Sequence, residues 1–298
     1  VVTALDPFAI FTLVLLAGAA FSSFFLAPLP LLSAQWRLPN PWPKAVAVLG
    51  SVVAAVVLET PVPWAIVAFV LGVVFADQAH TQKSLWRALN TSVAAAFLAA
   101  IGLLVLHSQM NQMGPLIYWQ SFVHTLVESV QASVQSGFQM DWPVLESLLV
   151  HQGGFFLVGL CLVSCWVSLG TASHFGWLKP GKRLSGSVLR KQMRLSPAMA
   201  VFASGLYIVA FSFPVPFYIL GLTRIVGCVL FIHGTVCLSD ILSRRKMPKG
   251  PRTWIYVLSV LFGFYALLAL GVISPWYFRV AGRQSPTPQL KDLEERTV

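Results

Sequence analysis

Arg224 is the residue whose position most demands a chemical explanation. It stands about eight residues into an apolar stretch running from Pro216 to Leu242, whereas every other Lys or Arg lies at the end of such a stretch or beyond it. At 1.5 Å per helical residue that is a depth of roughly 12 Å. A charge there costs about 2.5–3.5 kcal/mol even on the lenient insertion scale, so the side chain must face a bundle interior or a water-filled cavity. An arginine in that setting binds an anion or carboxylate, or else it is structural, bonded to backbone carbonyls or to a carboxylate on another span. Both readings stand at this point.

Further along the same stretch, His233, Cys237 and Asp240 follow at i, i+4 and i+7 and share one helical face. That face lies about 180° around the helix from Arg224. The three residue types suit a metal, but one helix cannot complete a tetrahedral site, and no HExxH or CxxC motif supplies the rest. Asp240 and Arg244 are spaced for an i,i+4 ion pair. No metal and no cofactor is therefore expected. Glu59, at a turn between two apolar runs, is where a substrate or proton could reach a carboxylate; a solvated loop residue is the competing explanation for it and for Asp77. Ser204 and His233 on neighbouring stretches could form a dyad. However, Phe202-Ala203-Ser204-Gly205 lacks the first glycine of the rhomboid-protease GxSG signature, and no oxyanion hole is readable. Cys161 and Cys165, also i,i+4, read as small buried hydrophobes. With Arg224, the residues proposed to bind substrate are His233 and Glu59; none is proposed as catalytic.

The elements that position these groups follow from composition. Of 298 residues, 57% are hydrophobic and only 10% charged. A soluble domain carries roughly 25% charged residues, so the solvent here must be hydrocarbon. Continuous apolar runs without period-two alternation exclude a membrane β-barrel. Eight runs are readable: 8–26, 45–58, 62–76, 85–106, 145–169, 197–213, 216–242 and 254–273. They predict an all-α polytopic bundle of about eight spans, in which the short second and third form two spans or one re-entrant hairpin. Residues 1–283 read as a single integral membrane domain, and 284–298 as a polar, disordered tail.

Charge sidedness orients the bundle. No Lys or Arg occurs between Arg87 and Lys179. Basic residues cluster at Arg37–Lys44, Lys83–Arg87, Lys179–Arg194 and Arg244–Arg252, at every second break. This is the positive-inside pattern, with those loops cytoplasmic and both termini outward. Arg279, Arg283, Lys291 and Arg296 violate it. The sidedness accounts for most of the net charge of +10, which removes the case for a nucleic-acid partner. On the outer side, 114–140 carries Trp119, Phe122, Val123, Leu126, Val127 and Val130 at helical spacing, an amphipathic helix that caps the bundle or lies on the membrane surface. Asp141 and Pro143 suit the start of the helix that follows. Gly18-x-x-x-Ser22 and Ala96-x-x-x-Ala100 permit close helix approach. Gly18, Ser22, Trp119, Phe122 and Leu126 are thus the candidate partner contacts, with the bilayer, other membrane proteins or a second copy as partners.

Three stretches carry a family likeness: 189–197 (LRKQMRLSP), a basic approach ending in proline at a span start; Phe231-Ile232-His233-Gly234, followed by a span end at Arg244-Arg245-Lys246; and 270–279 (LGVISPWYFR). With these the second half resembles the YybS-like family of bacterial integral membrane proteins, a family without an established function. The first half fits more loosely. That family looks distantly similar to the S components of energy-coupling-factor transporters. The likeness implies a small-molecule binder of the bacterial inner membrane, docking on a partner through small residues such as Gly18 to Ser23. A non-enzymatic transport or binding component is the expected function. A structural or assembly subunit is the alternative, and an intramembrane hydrolase a minor one.

Overall fold

The computed structural model describes residues 7–24, 26–38, 41–81, 85–133, 141–174, 195–212 and 216–284. Among these every element is helical and there is no strand. The basic stretch from Lys179 to Arg194, residues 134–140 and the tail beyond Gln284 lie outside the described residues.

The chain divides into two compact units, and the division falls within one helix. The first unit holds α1 (Pro7–Ser23), α2 (Pro28–Arg37), α3 (Trp42–Val52, continued by a π turn over Val53–Val57), α4 (Val62–Thr81), α5 (Leu85–Met110), α6 (Pro115–Ser133) and α7 (Trp142–His174). It also takes residues 213–228, the start of the helix Phe217–Arg244. That helix is α9; its remainder, with α8 (Pro197–Ser212), α10 (Lys249–Phe262) and α11 (Phe264–Gln284), belongs to the second unit.

In the first unit, α1 stops where Phe24 takes a left-handed φ of 60°, a conformation that a bulky L residue adopts only when its surroundings impose it. Phe24 is fully buried, its ring 4.5 Å from that of Trp64. The break frees backbone carbonyls, and Ser164 of α7 donates its hydroxyl to Phe24 O at 2.9 Å. Pro28 then opens α2 at a position where its missing N–H costs nothing. On α2, Leu31, Leu32 and Ala34 are all buried. Small residues set the remaining packing. A Cβ on Gly50 of α3 would fall 2.5 Å from Ala17 Cβ of α1, one on Gly72 of α4 would fall 2.9 Å from Leu31 Cδ1 of α2, and α4 also lies along α5.

The expectation of eight spans is corrected. Among the described residues four helices are long and apolar enough to cross a membrane: Val62–Thr81, Leu85–Met110, Trp142–Ala172 and Ile219–Arg244. A fifth exists only if α10 and α11, bent by 97° at their junction, count as one broken span. The other three runs form shorter apolar helices, Ile10–Ser23, Trp42–Val57 and Ala198–Ala210. The 16 residues from Trp42 to Val57 rise about 24 Å, short of the roughly 30 Å hydrocarbon core. The third run is not short either, because the helix continues past Ala76 through Asp77, Gln78 and His80 to Thr81.

In the second unit α9 and α11 cross at two glycines. A Cβ on Gly234 would collide with the backbone of Leu267, and one on Gly271 with the backbone of Leu230. The ring of Phe231 stacks on Phe264 at 5.0 Å.

Candidate functional site

Arg224 belongs to the part of α9 that packs on α7. Its Cζ lies 4.3 Å above the ring centroid of Phe156. Three contacts give the register. Gly221 faces Phe155, Arg224 covers Phe156, and Cys228 Sγ lies 2.9 Å from where a Cβ on Gly159 would stand. Both residue series ascend together, so α7 and α9 run parallel. On α7 these residues are spread symmetrically about the direction of Gln152, which lies three, four and seven residues before them.

Gln152 is only 1% exposed, and neither its Oε1 nor its Nε2 has a hydrogen-bond partner among the described residues. Arg224 Nη1 is likewise buried without one. An arginine over an aromatic face in a desolvated setting gains about 2 kcal/mol, while an amide buried without partners costs about 1–3 kcal/mol. The α7–α9 interface therefore holds an exposed-edge aromatic, a cation and an amide whose polar requirements the protein itself does not meet. Sequence reasoning missed Gln152 and Phe156. The available signal was a glutamine inside the apolar run 145–169, after Leu148-Leu149-Val150-His151 and before Gly153-Gly154.

Helix α6 sits directly beside this interface. Trp119 Nε1 donates to Val150 O at 3.0 Å, and its ring fills the space beside Gly153, where a Cβ would fall 2.5 Å from Cζ2. Val123 and Val127 are buried, whereas Phe122 and Leu126 on the other edge of the apolar stripe are 49% and 43% exposed. On the polar edge, His124 lies 3.1 Å from Glu146 of α7 and 3.2 Å from Glu128. Asp141 Oδ1 accepts the N–H of Val144 at 3.2 Å, capping α7 at its first turn.

The remaining candidates are dispersed. Glu59 is exposed on a turn with φ 51°, and no described contact joins it to Arg224. His233 falls in the second unit, buried, with Nδ1 accepting the Leu195 N–H at 3.5 Å. Ser204 donates to Val272 O at 3.1 Å, a backbone bond and no dyad with His233. Asp240 and Arg244 form the expected ion pair at 2.9 Å. Among the described residues no group of three His, Cys, Asp or Glu side chains is placed to hold a metal ion. Gly18 is covered from within the chain, by Val53 and Gly50, and Ser22 beside it is half-buried.

No protein-family model, curated protein or solved structure matches the chain.

Proposed function

We propose that the chain is a non-enzymatic small-molecule-binding or transport component of a bacterial inner membrane, with its binding centre where α9 packs on α7. The observation that carries this reading is Arg224, held over Phe156 with Nη1 buried and unbonded among the described residues. Burial of the charge costs about 3 kcal/mol and the aromatic contact returns about 2. A purely structural arginine closes that gap with carbonyls or a carboxylate, and none is bonded to it among the described residues. An anionic ligand would close it instead.

The basic stretches Lys179–Arg194 and Arg244–Arg252, set against residues 88–178 without a Lys or Arg, support a cytoplasmic side for both. The YybS-like resemblance is compatible with the same assignment. A second reading, a subunit that assembles membrane partners, draws on the exposed Phe122 and Leu126 edge of α6.

Native mass spectrometry of the full chain purified from membranes tests the first reading. A small molecule should remain bound to the wild type and be absent from Arg224→Ala. Equal retention by both would remove Arg224 from the mechanism.

A further inference from the structure

The deepest-buried unpaired group in the α7–α9 interface is the Gln152 amide, and its chemistry narrows what the site can hold. The side chain is 1% exposed and offers two N–H donors and one carbonyl acceptor, none of them engaged among the described residues. One helical turn further along the same face of α7, Phe156 carries the Arg224 guanidinium at 4.3 Å. Opposite, Gly221 lets the Phe155 ring press against the α9 backbone, where a Cβ would collide with Cδ2. Gln152 and the residue that carries the guanidinium thus stand four positions apart on one face of α7.

From this geometry we infer that Gln152 and Arg224 form a two-point receptor for the phosphate headgroup of an amphiphile. The inference rests on the reading of Arg224 as the binding centre. The guanidinium fork matches two phosphate oxygens. The amide then meets the third face: Nε2 donates to an oxyanion, and Oε1 needs a donor. A singly protonated phosphomonoester supplies P–O⁻ and P–OH together, whereas an ionised carboxylate has no donor for Oε1. The apolar chain follows from the surroundings. Phe156 is 41% exposed and belongs to a helix apolar enough to cross a membrane, so the ring borders hydrocarbon. A ligand approaching laterally buries its acyl chain there and its phosphate between Gln152 and Arg224.

The full chain in lipid nanodiscs, probed by native mass spectrometry, tests this with three ligands: phosphatidic acid, diacylglycerol with the same chains, and inorganic phosphate. The wild type should retain phosphatidic acid and not diacylglycerol. Arg224→Ala should weaken phosphatidic acid retention roughly tenfold or more, and Gln152→Leu about fivefold, the losses expected for a charged and a neutral hydrogen-bonding group. Displacement by inorganic phosphate at the same concentration as the lipid would identify a soluble phosphate as the source and overturn the amphiphile. Equal retention of diacylglycerol, or wild-type retention of phosphatidic acid by Gln152→Leu, would overturn the receptor. If the leucine variant does not fold, Gln152→Glu keeps the shape and should repel the phosphate. Should Arg224→Ala lose its co-purifying ligand while the Gln152 variants and the two lipids show no difference, the receptor falls and the binding centre stands. Should Arg224→Ala lose nothing, both fall.

Discussion

The two halves of α9 use opposite solutions to the problem of polar groups in an apolar setting. Around Arg224 the helix meets aromatic rings, and the Arg224 Nη1 and Gln152 amide atoms stay unbonded among the described residues. Around Gly234 it meets the backbone of α11, and polar side chains are absorbed by the backbones of the two helices. Thr235 donates to Ile232 O at 2.6 Å, Ser274 to Gly271 O at 2.5 Å and Ser204 to Val272 O at 3.1 Å. The second arrangement resembles the small-residue packing that holds membrane helices together, where closeness and hydrogen bonds replace the hydrophobic drive. The first leaves hydrogen-bonding capacity unspent. The contrast separates a structural crossing from a place whose hydrogen-bonding groups the described residues leave unengaged, and both lie on a single helix.

The largest test of the contrast is at the crossing. Gly234→Leu forces a side chain into the Leu267 backbone and should destabilise the protein by about 3 kcal/mol, read as a lower thermal midpoint in detergent. An unchanged midpoint would mean that the crossing is not what holds α9 and α11 together. Arg224→Ala should act with the opposite sign. Removing a charge that costs about 3 kcal/mol, together with an aromatic contact worth about 2, should raise stability by about 1 kcal/mol while ligand retention is lost. A fall in stability would make Arg224 as structural as Gly234. Smaller again, Ser164→Ala should cost about 1 kcal/mol by removing one of the two donors to Phe24 O, the other being the Ala27 N–H, with faster amide exchange confined to the α1–α2 break. Least of all, His124→Ala should change stability by no more than about 0.5 kcal/mol, since its contacts to Glu128 and Glu146 are exposed. Its measurable effect should be quicker amide exchange in α6, and no such change would show that Trp119 and the buried Val123 and Val127 suffice to hold that helix.

What the sequence disclosed depended on whether the cue was local. The apolar runs behind α4, α5, α7 and α9 were visible because length and hydropathy are properties of one segment. So were the Asp141 cap and the Asp240–Arg244 pair, both set by spacing along a single helix. The number of spans was overestimated because a short apolar run fits a helix packed within the protein as well as one in lipid; Ile10–Ser23, Trp42–Val57 and Ala198–Ala210 are the short helices among the described residues. The Phe24 break carried no cue, since a left-handed phenylalanine is imposed by its tertiary surroundings. Arg224 announced itself as a charge out of place. Gln152 did not, because its significance depends on which face of α7 meets α9, and that register is invisible until both helices are seen together. The expectation that Gly18 meets a partner took no account of a helix in the same chain, α3, that could cover it.

The hydrogen bond from Ser164 to Phe24 O spans 140 positions of sequence, and this has a bearing on how the protein is made. A ribosome adds roughly 5–20 residues per second, so Phe24 O, which has a local donor in the Ala27 N–H at 3.1 Å, waits on the order of seven to thirty seconds for its second. Until α7 emerges, the α1–α2 break lacks its tie to Ser164. A truncated nascent chain ending before Ser164 should leave α1 and α2 free to merge into one longer helix, and the arrival of α7 is what commits them to the fold.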